Sequence, residues 1–294
     1  MPSQFYRAWG LVVLACCSVA SAHPVPPQKG APLYVAERGA SKVYILGGCG
    51  GEGHDWLSDD IRNALGQSRE FWRELPIAKI NRTSIAYSDK LGTLTRATLF
   101  DLLDSAERAR VLAAAQILGM SREKLAPMKI WYAARILTFA SYAKTQRPVG
   151  QASDPELVLS DMAAKRGIPM HAESPSWRAF ADFFDRMPPT VQTQYLAYNL
   201  DEIEQGGADA KAGDLACGMG DPSDIDRAAT EFSRRYPALY AYLNGGRDAE
   251  WARKIDRFLR RGGVTFIVVG TNHTVGPRSI QRELARIGIE VHRV

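Results

Sequence analysis

Gly263-Val264-Thr265-Phe266-Ile267-Val268-Val269-Gly270-Thr271-Asn272-His273-Thr274-Val275-Gly276-Pro277 reads as a strand, a glycine turn and the approach to a helix. Val264 to Val269 are all apolar or β-branched, which predicts a buried strand. Gly270 ends the run with a residue that carries no Cβ. Asn272 and His273 follow at the strand's C-terminal edge, and Pro277 suits the first turn of the next helix. In open α/β sheets, ligands bind outside the carboxyl ends of the strands. A histidine set there by a glycine turn can face a cleft instead of the core.

Working outward, the chain closes with a helix over Pro277–Ile287 and a strand over Ile289–Arg293. At the other end, Ala31–Val35 and Lys42–Leu46 predict a hairpin around Glu37-Arg38-Gly39-Ala40. Leu57–Phe71 predicts a helix, with Ser58 and two aspartates favouring its first turn, and Phe71–Leu75 a strand. Ser105–Met120 and Ser121–Ala143 are helical, the second kinked or divided at Pro127. The Trp131-Tyr132 stripe in that second segment reads as core. Asp154-Pro155 caps a helix that Gly167 closes, and Ile168–Ala172 is a further strand. From Ser174 to Arg261 the pattern is helical, broken at Pro188-Pro189, Gly206-Gly207 and Cys217-Gly218-Met219-Gly220. The expected fold class is α/β: a sheet assembled from N- and C-terminal segments, covered by a helical central insert of about residues 94–260.

Residues 1–22 read as a secretory signal. Arg7 forms the basic region, Ala8–Ala20 the apolar region, and Ala20-Ser21-Ala22 the cleavage site, so the mature chain, 23–294, starts at His23. The expected location is periplasmic or secreted. The alternative is a lipoprotein anchored at Cys16, since Val13-Leu14-Ala15-Cys16 resembles a lipobox. After removal of the signal, no further long apolar run predicts a transmembrane segment. The formal net charge of +5 is dispersed, without a basic block, which argues against nucleic-acid binding. Cys49 and Cys217 remain after cleavage, and an oxidising compartment permits either a disulfide or two buried thiols.

Both ends carry a strand, a glycine-led loop and then a helix: Val43-Tyr44-Ile45-Leu46-Gly47-Gly48-Cys49-Gly50, and the His273 segment. On these residues the chain resembles the TraB/GumN family, related to the Tiki proteases, which pairs two Gly-x-x-His motifs. Gly270-Thr271-Asn272-His273 matches the second. Ala64 to Glu74 is similar to a helix-to-strand segment ending in an active-site glutamate, which falls on Glu74. Pro169-Met170-His171-Ala172-Glu173 and Arg247-Asp248 with Trp251 and Lys254-Ile255 resemble two further family segments. The resemblance runs over about residues 31–294. It departs at the first motif, where Gly50 stands in place of histidine and His54 comes four residues later. Asp248 also stands where the family pattern has asparagine.

The resemblance implies a hydrolase, metal-dependent and acting on peptides or small molecules, with Glu74, His273, Glu173 and Arg247 as catalytic residues. It implies a divalent metal ion, with His273 and Glu74 as ligands; His54 is a candidate further ligand, which the glycine-rich loop would have to swing back toward the site. Read from the residues alone, His273 is a metal ligand, a general base or a hydrogen-bonded structural residue. Glu74 is a general base or a strand-end carboxylate, and Glu173 with Arg247 an orienting ion pair or surface charges. Cys49 beside His273 is a conceivable soft ligand or nucleophile. With Gly50 one imidazole short, the alternative is a catalytically degenerate member that binds a ligand or serves as an accessory factor with an envelope protein partner.

Overall fold

A computed structural model describes residues 31–48, 56–144, 154–206 and 223–294. Its centre is a mixed six-stranded sheet. The strands are β1 (Leu33–Arg38), β2 (Ser41–Gly48), β3 (Glu70–Arg73), β4 (Met170–Ala172), β5 (Val264–Gly270) and β6 (Val291–Arg293). They lie in the order β4-β3-β5-β2-β1-β6. β5 is parallel to β2 on one side and to β3 on the other, and β4 is parallel to β3. β1 runs antiparallel to both β2 and β6. The fold is α/β, with N- and C-terminal strands interleaved.

Alternation along the central strands separates two faces. Tyr44, Leu46, Phe266 and Val268 point to a core closed by Ile61, Leu65, Leu159 and Ala163 of helices Asp59–Gln67 and Pro155–Lys165. Val43, Ile45, Ile267 and Val269 point to the other core, filled by Trp251, Ile255, Leu259, Ile280 and Leu284 of helices Gly246–Arg261 and Ile280–Arg286. The strands buried on both faces read as continuous apolar runs. A third cluster has no sheet residue: Leu99, Val111, Ala134, Leu137, Leu196, Leu200 and their neighbours pack helices Ser105–Leu118, Ile130–Lys144 and Pro189–Glu204 together. A fourth, aromatic cluster around Trp131, Phe184 and Leu239 lies beside it.

Several expected boundaries move. The helix expected over Leu57–Phe71 is Asp59–Gln67, capped by Ser58. At Ser68 the chain turns extended, its hydroxyl donating back to the Ala64 carbonyl at 2.8 Å, so that Phe71 can enter β3 against Phe266. The closing helix begins at Ile280, not Pro277, because Ser279 supplies the cap by accepting from the Arg282 amide. Pro127 does divide its segment, into Arg122–Leu125 and Ile130–Lys144. Helix Arg82–Leu91 buries no residue and carries no apolar period strong enough to predict it. No helix of the described residues is long and apolar enough to cross a membrane.

Candidate functional site

Four chain segments leave the sheet at the carboxyl ends of its parallel strands. Gly48 ends β2 opposite Gly270, the last residue of β5. Glu74 follows β3, Glu173 follows β4, and His273 lies in a short 3-10 turn, Thr271–His273, after β5. The Glu173 amide donates to the Arg73 carbonyl at 2.7 Å and the Ser174 amide to the Glu74 carbonyl at 3.1 Å, which extends the β3–β4 pairing through both glutamates. The segments are held close by two glycines. A Cβ on Gly47 would lie 2.7 Å from the Thr274 hydroxyl, and one on Gly270 would lie 3.2 Å from Glu74 Oε2.

Arg247 and Asp248 enter from the opposite direction. A π-helical turn, Ala241–Gly245, precedes helix Gly246–Arg261, and both residues lie in the first turn of that helix. Such turns insert an extra residue and rotate the next helical turn to a new direction. Asn244 ties the turn to the site, its amide donating to the Asn272 carbonyl at 3.0 Å.

The result is one charge network. Arg247 grips Glu173 with two bonds, Nε to Oε1 at 2.9 Å and Nη2 to Oε2, and Nη2 also donates to Glu74 Oε1. The second Glu74 oxygen accepts from the Gly270 amide. His273 is buried, with Nδ1 2.5 Å from Asp248 Oδ1 and Nε2 3.1 Å from Glu74 Oε1. The same Nε2 lies 3.2 Å from Arg247 Nη1. Asp248 has no exposed surface, and its Oδ2 has no hydrogen-bond partner among the described residues.

Electrostatics fix the charge states. Burial works against ionisation of Glu74, but the His273 and Arg247 charges outweigh it and hold the carboxyl well below the usual range. Burial also opposes charge on His273; the charge of Glu74 and the bond to Asp248 overcome this and lift it to about 9. Arg247 loses hydration but gains Glu74 and Glu173, and stays charged. Desolvation pushes Asp248 up to about 6 despite its bond to His273. At neutral pH His273 is therefore an imidazolium between two carboxyl groups.

Nε2 has two incompatible partners. Protonated, it donates to Glu74. Deprotonated, with the remaining proton on Nδ1 facing Asp248, it accepts from Arg247 Nη1. Each protonation state of the ring thus has its own hydrogen-bond partner already in place.

A divalent metal does not fit this donor set as it stands. Arg247 Nη2 sits between the Glu74 and Glu173 oxygens, where a bound cation would have to lie, and Nη1 faces the one imidazole nitrogen not used by Asp248. Among the described residues no three histidine, cysteine, aspartate or glutamate side chains are grouped to hold a metal. The expected third ligand, His54, lies outside the described residues, as do Cys49, Gly50, Cys217 and the signal segment.

The structure brings Glu74, Glu173, Arg247 and His273 together. Sequence reasoning notes Asp248 only as a departure from the family pattern and misses Glu156. The Glu156 carboxylate accepts the Glu74 amide at 3.2 Å and the Leu75 amide at 3.3 Å, and pairs with Arg73 at 3.1 Å. Burial and the nearby Glu74 charge push it up to about 7. The only signal for it is its place in the first turn after Asp154-Pro155, which reads as ordinary helix capping.

No curated protein and no solved structure matches the chain. One family model matches nearly the whole of the described sheet and helices. The TraB/PrgY/gumN family model covers residues 32–293, and the chain belongs to that family.

Proposed function

We propose that the protein is an exported hydrolase in which His273 transfers the proton. The observation that carries this reading is the position of His273 Nε2, 3.1 Å from Glu74 Oε1 and 3.2 Å from Arg247 Nη1, with Nδ1 fixed by Asp248. Water attacks the scissile carbonyl carbon as the charged His273 donates its Nε2 proton to the leaving group; Arg247 Nη1 stabilises the neutral ring, which recovers a proton from the attacking water. Glu74 keeps the imidazolium favoured at neutral pH, and Glu173 holds Arg247 by its bidentate grip. Peptides or small molecules are the substrate class, and no step passes through a metal.

The test is a screen of the chain 23–294 against mixed fluorogenic peptides and esters. His273→Ala is expected to lower kcat by about 100-fold or more. Turnover equal to wild type in that variant would end the reading. Export is tested separately: N-terminal sequencing of the secreted chain should begin at His23, whereas a lipidated Cys16 would support the lipoprotein alternative.

Two observations favour a second reading, a family member that binds without turnover. Arg247 already pairs with both Glu74 and Glu173, and Gly50 stands where the resemblance has histidine. On that reading no substrate is turned over, a bound ligand raises Tm, and His273→Ala loses the rise. A partner captured from the cell envelope by wild type and His273→Ala alike would point to an accessory role.

A further inference from the structure

The arrangement around Arg247 has the connectivity of a cation site in which the cation is covalently part of the chain. Glu74 Oε1 and Glu173 Oε2 converge on one guanidinium nitrogen, and Glu173 Oε1 accepts from Nε at 2.9 Å. His273 Nε2, the third converging donor atom, lies 3.2 Å from Nη1. Removing the guanidinium would leave Glu173 without its counter-charge and Glu74 with His273 alone. An uncompensated buried charge is costly, and it is relieved by binding a proton or another cation.

We infer that Arg247 is a built-in competitor for divalent metal: it holds the cation position between Glu74, Glu173 and His273, and a metal takes that position only when Arg247 is gone. With the guanidinium gone and Nε2 having lost its proton to the incoming metal, the two carboxylates and that nitrogen would offer a mixed oxygen and nitrogen set of the kind Zn²⁺ or Mn²⁺ takes, with water completing the shell. Lysine in place of Arg247 keeps a cation near the carboxylates and therefore keeps the metal out. Competition for the cation position is independent of hydrolysis, since its readout is metal bound per chain.

The experiment uses the chain 23–294, stripped with chelator and equilibrated with Zn²⁺ alone or Mn²⁺ alone. Metal per chain is measured after dialysis, and Tm with and without metal. Wild type and Arg247→Lys are expected to hold far less than one equivalent and to show no rise in Tm. Arg247→Ala is expected to hold about one equivalent, with Tm raised by about 5 °C or more at roughly 100 times Kd. Adding Glu173→Gln to Arg247→Ala should remove most of that gain. Where Arg247→Ala is too unstable to purify, Arg247→Met keeps the volume of the stem and replaces it. Wild type holding one tight equivalent with Arg247 intact would overturn the inference. So would a folded Arg247→Ala or Arg247→Met that binds none. Loss or retention of hydrolysis bears on the proposed function alone, so the two can fail separately.

Discussion

At His273 a buried ring is kept charged by the carboxyl groups on either side of it, and this sets a pH dependence for stability. The groups facing it are Glu74, Asp248 and Arg247. Its value rises from the ordinary 6.5 to about 9 on folding, a gap worth about 3 kcal/mol. Because the folded value is the higher one, the contribution is complete below about pH 6.5 and is lost as pH rises through about 9. Thermal melts of wild type should show Tm falling between about pH 7 and 9.5, while His273→Gln should give a flatter profile over that window. Parallel profiles would remove His273 as the source. Asp248 allows a second measurement. Asp248→Asn keeps an oxygen to accept from Nδ1, whereas Asp248→Ala leaves the buried ring nitrogen unpaired. Urea unfolding should show Asp248→Ala costing about 3 kcal/mol or more and Asp248→Asn less than half of that. Glu74, Glu173, Arg247 and His273 are legible in the sequence because all four sit in segments resembling a family pattern, and His273 also follows an apolar run. Asp248 is not legible as a partner of His273, because its aim depends on a π-helical turn that leaves no periodic mark. Glu156 is not, because an acid in a helix's first turn has a sufficient local explanation.

At the scale of the element, the strand–glycine pattern at the two ends does bring the strand ends together: β2 and β5 are parallel neighbours, with Gly48 opposite Gly270. What periodicity cannot give is where each element stops. Pro277 suits a helix start, but the helix waits for the Ser279 cap. The run Leu57–Phe71 mixes a helical face with the first residues of a strand, and only packing against Phe266 separates them. The glycines show what the local pattern is for. Gly270 has ordinary negative φ, so it is required by space and not by backbone conformation. A Cβ on Gly270 would also lie 2.6 Å from Oδ1 of the exposed Asn272 side chain, whereas the neighbour at Gly47 is buried. A Cβ there meets the Thr274 hydroxyl, which is itself bonded to the Thr271 carbonyl at 2.8 Å in a buried residue. Gly47→Ala should therefore cost about 1–3 kcal/mol in urea unfolding. Thr274→Ala removes the obstructing atom, so the double variant should recover most of the loss relative to Thr274→Ala alone. If the two losses simply add, the contact is not the cause.

Over the whole molecule, the sheet and the helices that hang from it obey different kinds of contact. The sheet is non-local: β5, near the C-terminus, lies between β3 and β2, so no N-terminal or C-terminal piece carries the central three strands. The third hydrophobic cluster is the opposite, drawn wholly from residues between Leu99 and Ile203. Three charged members of the site sit where the chain leaves or rejoins the sheet. Glu74 leaves β3 toward helix Arg82–Leu91, Glu173 leaves β4 toward helix Trp177–Asp185, and Arg247 returns from the aromatic cluster into the helix that covers the sheet. The Arg247 pairs with Glu74 and Glu173 thus tie the first turn of the sheet-covering helix to two strand ends beside the junction. A cluster of local contacts that shares few residues with the sheet can open without it. Native-state hydrogen exchange in rising urea is therefore expected to show two cooperative units, the amides of helices Ser105–Leu118, Ile130–Lys144 and Pro189–Glu204 opening at lower free energy than those of β2 and β5. Arg247→Lys, which weakens the junction without touching either cluster, should lower the opening free energy of the helical unit and leave the β5 amides nearly unchanged. A single concerted opening of helices and sheet, unchanged in that variant, would show that the site does not join separable parts.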